Sequence, residues 1–279
     1  MLDGMRTYFK NRGRVRILAY IMICVMIFCI AGCAGRSKNQ GDQSLKKVLD
    51  AGQLVLGLDE NYPPMGYRDE SGQIVGFDID MAQEVCDRLG IRLVLQPIEW
   101  DKKEDELNGG NIDCIWNGMS VSPERVLSMC LSRSYLRSEL VFVVMSDSNI
   151  KDVQDIRGKS VGVQLGSTTE DELRRSTLIS DITLVGYGDN KELMQDLEQG
   201  KVDVAFIDTI TTYYFNSMNN ESFSILPTVF SREEIAIGFR KEDIALRDKI
   251  QETIDEMNAD GTLKKISEKW FGKDITIVK

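Results

Sequence analysis

Histidine is absent from all 279 residues. That removes Ser-His-Asp and Cys-His nucleophilic catalysis, histidine proton shuttles and the commonest metal ligand from what this chain can do. Cysteine is sparse, six residues with no CxxC spacing, so a thiolate metal site is not expected. Positive charge is also in deficit. The 34 Lys and Arg stand against 44 Asp and Glu, a net charge of −10. Nucleic acid, whose phosphates demand clustered cations, is therefore not an expected partner. No cofactor is called for by any motif. What remains, 42% hydrophobic and 28% charged residues, is the composition of a globular chain with a sizeable core and one or two domains.

The N-terminus stands apart. Arg6, Lys10, Arg12, Arg14 and Arg16 precede an apolar run over 17–30, too short for a membrane span of about 20 residues. The run ends Ile30-Ala31-Gly32-Cys33, which resembles the bacterial lipobox: small residues before a cysteine that is acylated, typically with palmitate, and becomes the new N-terminus. Residues 1–32 read as a lipoprotein signal peptide, with an uncleaved anchor as the alternative. Removing them moves the net charge from −10 to −14. Residues 33–44 are then the lipidated Cys33 and a polar, aperiodic tether that reaches roughly 35 Å when extended. Cys86, Cys114 and Cys130 remain in apolar contexts and read as buried free thiols, one disulfide being the alternative.

The segment 112–125 organises the rest. An apolar strand-length run at 112–116 is broken by Asn117-Gly118, and Ser122-Pro123 has the order of an N-cap followed by proline at the first helical position. Arg125 falls in the first helical turn, where the helix dipole is unfavourable to a cation. Two readings stand: a surface pair with Glu124, or a cation waiting for an anion. Strands at 53–58, 91–96, 138–145, 159–164, 182–187, 202–207 and 234–239 alternate with helices at 45–51, 101–108, 190–198, 243–259 and 262–270, and residues 76–80 lead into a further helix that runs to 89. Asp78 reads as the N-cap of its helix, and a carboxylate pair with Asp80 is disfavoured because i and i+2 do not face each other. Ser167 and Glu170 have capping-box spacing after a strand, which is either a plain cap or an anion site. Asp208, just past a strand, either caps the next helix or faces a ligand. Residues 107–113 and 197–203 share Leu, Gly and Asp at the same offsets, and in that register Gly118 and Asp208 are equivalent. Two similar α/β units with a site between them follow.

Several segments together resemble one family. Gly76-Phe77-Asp78-Ile79-Asp80-Met81-Ala82-Gln83-Glu84-Val85 resembles the signature of the extracytoplasmic solute-binding proteins of amino-acid ABC transporters, the polar amino-acid (family 3) type. Ala259-Asp260-Gly261-Thr262 and Trp270-Phe271-Gly272 resemble its C-terminal end. The resemblance implies an α/β fold, a two-lobed periplasmic-binding-protein-like clamp (type II) with two crossover hinge strands. Lobe 1 would be discontinuous, 45–137 and 238–279, and lobe 2 would span 138–237. Arg125 matches the arginine that grips the ligand carboxylate, Ser167 and Thr168 the helix start that holds the same group, and Asp208 the acid that takes the ammonium. Tyr62 and Trp100 match rings that pack on the ligand, and Asn117, Gly118, Met119 and Ser120 match the strand end beside it. Asp59 and Gln164 complete the set. Asn117 and Gln164 favour an amide or other polar neutral ligand side chain, whereas Asp59 and Glu60 are acids a basic one would meet. Leu93 stands where some members carry a cysteine partner for Cys86, so that bridge is not carried over.

The implied function is capture of an extracellular L-amino acid and its delivery to an ABC permease, by a monomer anchored through Cys33 on the extracytoplasmic face of the cell membrane. The alternatives are an enzyme, since some relatives of the family are dehydratases acting on prephenate-like acids, and a sensor domain that would need a separate signalling partner.

Overall fold

The computed structural model describes residues 41–278. The signal peptide, Cys33 and most of the tether fall outside the described residues. Two five-stranded sheets form two lobes. The first is built from β1 (Gln53–Leu58), β5 (Arg92–Pro97), β6 (Cys114–Ile115), β7 (Met129–Leu131) and β13 (Gly238–Arg240), in the order β5-β1-β6-β13-β7. The second holds β8 (Leu136–Met145), β9 (Ser160–Gln164), β10 (Thr183–Tyr187), β11 (Val204–Asp208) and β12 (Phe223–Ile235), in the order β10-β9-β11-β8-β12. A small three-stranded sheet of β2 (Asn61–Tyr62), β3 (Gly66–Arg68) and β4 (Ile74–Val75) hangs off the first lobe.

The central strands β1 and β9 pair in parallel with both neighbours and are nearly continuous apolar runs, as burial on both faces requires. The helices supply the cover. In chain order they are α1 (Ser44–Ala51), α2 (Phe77–Leu89), α3 (Lys103–Asn108), α4 (Pro123–Ser128), α5 (Thr168–Arg175), α6 (Asn190–Glu198), α7 (Thr209–Met218), α8 (Ile244–Ala259) and α9 (Thr262–Phe271). The lobe 1 core joins Leu54 and Leu56 of β1 with Phe77 and Val85 of α2 and Ile250 and Ile254 of α8. In lobe 2, Phe142 and Phe206 stack at 4.5 Å, and Phe230 meets both edge-on. Among the described residues no helix is long and apolar enough to cross a membrane. Cys86, Cys114 and Cys130 are free thiols.

The internal repeat is structural. After α3 and after α6 a glycine with positive φ, Gly110 (+79°) and Gly200 (+69°), donates back to Leu107 and Leu197, each at 3.1 Å. The aspartates that follow then make the same bond: Asp113 accepts from Val55 N at 2.8 Å and Asp203 from Ser160 N at 2.8 Å. Asp113 thus clamps β1 and Asp203 clamps β9, the strand of each lobe that pairs in parallel on both sides.

The chain crosses from the first sheet to the second between β7 and β8, and returns between β12 and β13. The two crossings bond to each other: Ser132 N donates to Ile237 O at 2.9 Å, Tyr135 N to Ile235 O at 2.9 Å, and Ile237 N to Ser132 Oγ at 2.8 Å. The expected strand at 234–239 is thus split by the return crossing, and β12 begins eleven residues earlier than expected. Pro227 and two register shifts against β8 break its alternation, which hides it from pattern reading. The strand expected over 112–116 is only two residues long because Asp113 turns its side chain, not its carbonyl, to Val55.

Candidate functional site

The C-terminal ends of β1, β6, β9 and β11 face one cleft of about 430 Å³, counting the part open to solvent, between the lobes. From lobe 1 come Asp59, Tyr62, Trp100, Asn117, Gly118, Ser120 and Arg125; from lobe 2 come Gln164, Ser167, Thr168 and Asp208. All were expected. Met119 is not among them: its side chain is fully buried beside Met129 and over Gly238, while its carbonyl takes Ala236 N at 2.9 Å from the return crossing. The turn at Gly118 sends the Met119 side chain into the lobe 1 interior, a direction that motif matching does not show.

Arg125 sits on the first turn of α4, which starts as expected with Pro123 at the first position and Ser122 Oγ accepting from Arg125 N at 3.3 Å. Arg125 is only 5% exposed. Nη1 donates to Ser120 O at 2.7 Å and Nη2 to Gly166 O on the opposite lobe at 3.3 Å. Glu124 does not pair with it but with Arg175 at 3.1 Å, so the surface-pair reading is set aside. Among the described residues no carboxylate comes within 4.0 Å of Arg125, and burial lowers its pKa.

Facing it is the start of α5. Ser167 Oγ accepts from Glu170 N at 3.2 Å, as a capping box requires, but the Glu170 carboxylate takes Gly166 N at 2.8 Å instead of the cap residue's own N–H. The first N–H groups of a helix have no intrahelical acceptor. On the far side, Asp208 caps a helix and also lines the cleft. Oδ1 caps α7 by accepting Thr211 N at 2.9 Å, and Oδ2 lines the cleft and accepts Tyr62 OH at 2.7 Å across the lobes.

A second acid end lies at Asp59, 6% exposed, whose carboxyl burial pushes up to about 6. Oδ1 accepts Asn61 N at 2.8 Å and Oδ2 accepts Gln164 Nε2 at 2.6 Å from the other lobe. Gln164 Oε1 in turn takes Asn190 Nδ2 at 3.1 Å. The Asn117 side-chain oxygen takes Asp59 N at 3.0 Å. The Gln164 amide is therefore committed to the protein through both its nitrogen and its oxygen, whereas Asn117 uses only its oxygen and its Nδ2 is buried without a hydrogen-bond partner among the described residues.

Glu233, Asn190, Thr169, Leu140 and Ile207 also line the cleft and were not expected. Glu233, on β12, accepts Ser120 Oγ at 3.0 Å, and Ser120 accepts Thr168 Oγ1 at 3.2 Å, a chain joining both lobes to a crossing strand. Burial pushes the Glu233 carboxyl up. No periodicity marks this residue, because its strand is the one Pro227 interrupts.

Asp78 is not the N-cap of α2; Gly76 holds that place. It is fully buried behind the cleft, accepting Gly118 N at 2.6 Å and Tyr135 OH at 2.9 Å, and burial pushes its carboxyl up to about 7. Asp80 faces elsewhere, accepting Lys269 Nζ at 2.6 Å and Trp270 Nε1 at 2.7 Å.

Known proteins share this sequence pattern and fold. The L-cystine-binding protein TcyJ of Escherichia coli (strain K12) is 32% identical over 254 residues, 90% of this chain and 95% of that protein. The arginine-binding extracellular protein ArtP of Bacillus subtilis (strain 168) is 30% identical over 257 residues, 91% and 97%. A solved ABC uptake transporter substrate-binding protein from Streptococcus pneumoniae with bound histidine superposes with a TM-score of 0.81 at 33% identity, over 85% of this chain and 98% of that one. The model of the bacterial extracellular solute-binding proteins, family 3, matches residues 54–273. With two lobes, paired crossings and a cleft at the strand ends, the chain belongs to that family of amino-acid-binding proteins.

Proposed function

We propose that the protein captures a free L-amino acid between its lobes and delivers it to an ABC permease, as a monomer held at the extracytoplasmic face by lipid on Cys33. Lobe 1 comprises 45–137 and 238–279 and lobe 2 comprises 138–237. The observation that carries this reading is the buried Arg125, with no carboxylate within 4.0 Å among the described residues, lining the same cleft as Asp208. A buried charge is costly until an ion of opposite sign meets it. A zwitterion supplies both ions at once: its carboxylate lies between Arg125 and the start of α5, with Ser167 and Thr168, and its ammonium goes to Asp208. Tyr62 and Trp100 cover the ligand, and the Asn117–Ser120 strand end and Gln164 flank it. Asp59 is suited to a polar side chain that donates hydrogen bonds or carries positive charge.

Thermal unfolding of residues 34–279 against the standard amino acids and several dipeptides tests this. A ligand at 100 times its Kd adds about 2.7 kcal/mol and raises Tm by roughly 5–10 °C. One or a few amino acids should do so; no shift with any of them overturns the reading. Glu233, a cleft carboxyl pushed up by burial, would suit the general acid of a dehydratase-like enzyme. Turnover of prephenate-like acids without amino-acid affinity would put that reading in place of transport.

A further inference from the structure

Lys103, at the start of α3, is a buried cation that the zwitterion site leaves unused. It is 5% exposed and does not line the cleft. Its ammonium donates to Trp100 O at 3.1 Å in its own lobe and to Gly166 O in the opposite lobe at 2.7 Å. Arg125 Nη2 reaches the same Gly166 carbonyl. Two cations of lobe 1 thus converge on the peptide that precedes α5.

Among the described residues no carboxylate comes within 4.0 Å of either. Glu104, Asp171 and Asp101 act on Lys103 only from farther away, and Asp101 is paired with Lys102 at 3.0 Å. Burial, and then the charge of Arg125, push the Lys103 ammonium down to about 8. Closing an empty cleft therefore brings two like charges into a poorly solvated place with one carbonyl between them and no counter-ion. An anion seated beside Arg125 at the start of α5 reverses the balance, since both cations then face it.

We infer that Lys103 makes lobe closure conditional on the ligand's carboxylate: its charge opposes closing on an empty cleft and favours closing on an anion held at Arg125 and α5. The identity of that anion rests on the proposed zwitterion site; the penalty in the empty cleft does not. Lys103 is a positioning residue, acting through Gly166 and through its field.

Lys103→Met removes the charge and keeps the length of the stem. Closure of the full chain is read from the rate at which a short bifunctional maleimide, whose span takes the place of the two side chains, cross-links Glu124→Cys with Arg175→Cys, positions whose native side chains meet across the lobes at 3.1 Å. In the absence of ligand, Lys103→Met should raise that rate about threefold or more. With L-arginine and L-histidine as probes, each against its carboxamide, the preference for the free acid should fall about tenfold. Lys103→Gln, which still donates to carbonyls but is neutral, should behave as Lys103→Met. An unchanged or slower rate in the empty protein overturns the brake. An unchanged acid-to-amide preference overturns the link to the carboxylate, and wild-type behaviour of Lys103→Gln shows that hydrogen bonding, not charge, is responsible. If neither amino acid binds the wild type, the zwitterion reading fails, while the empty-cleft rate still decides the Lys103 brake.

Discussion

At the scale of single residues, Asp208 caps α7 and also lines the cleft, so its part in the fold and the ammonium contact proposed for it can be told apart. Asp208→Ala should cost about 1 kcal/mol through loss of the α7 cap, leaving a cooperative melt. Amino-acid affinity, measured by calorimetry, should fall 100-fold or more, as expected when a buried partner of a charged group is removed; unchanged affinity would sink the ammonium assignment. Asp78 yields a prediction with a pH axis. Its folded pKa of about 7 lies well above the usual carboxylate range, so the native state binds the extra proton, and stability from this group falls as pH rises from about 4 to about 7. The loss is at most about 4 kcal/mol. The Tm difference between Asp78→Asn and wild type should therefore move in favour of the variant across that window, and a constant difference would refute the linkage. Arg125 and Asp208 were legible in the sequence because each sits at a helix start with recognisable syntax. Glu233 and Lys103 were not, because what buries them is the opposite lobe or a crossing strand, and neither leaves a local pattern.

At the scale of elements, the turn after β6 carries the most constraint. Gly118 has φ +58°, and a Cβ there would lie 2.6 Å from Tyr62 Cε1. Gly118→Ala should destabilise by about 1–2 kcal/mol through the left-handed backbone. It should also weaken binding about tenfold or more, because Tyr62 is pushed off Asp208. A variant with the stability loss but full affinity would show that Tyr62 is not part of the grip. Most elements could be read from period and punctuation, including the repeat whose Leu, Gly and Asp proved to be one turn used twice. The exceptions share a cause. The β12 ladder is interrupted by Pro227, β6 is shortened by the Asp113 side chain, and the boundary between β12 and β13 depends on which sheet each end joins, which is a property of the partner strands.

At the scale of the whole molecule, the lobes meet backbone against backbone. A Cβ on Gly166 would come within 2.7 Å of Asp101 Cα in the other lobe. Gly166→Ala should leave each lobe folded yet hold the cleft open; scattering in solution should show no ligand-induced compaction, and affinity should drop at least tenfold. Compaction equal to wild type would mean that the lobes close by another route. The two-lobed plan was readable from the repeat, whereas the seating of one lobe on the other depends on contacts such as this one. The place of β13 has a further consequence, for the order in which the chain is made. All strands of the second sheet lie between residues 136 and 235, so that sheet is complete as soon as they have been synthesised. The first sheet begins with β1, yet keeps a gap between β6 and β7 until β13 arrives near the end of the chain. The lobe that is begun first is finished last, and until then it carries two unpaired inner edges, the kind of surface on which emerging chains misassociate.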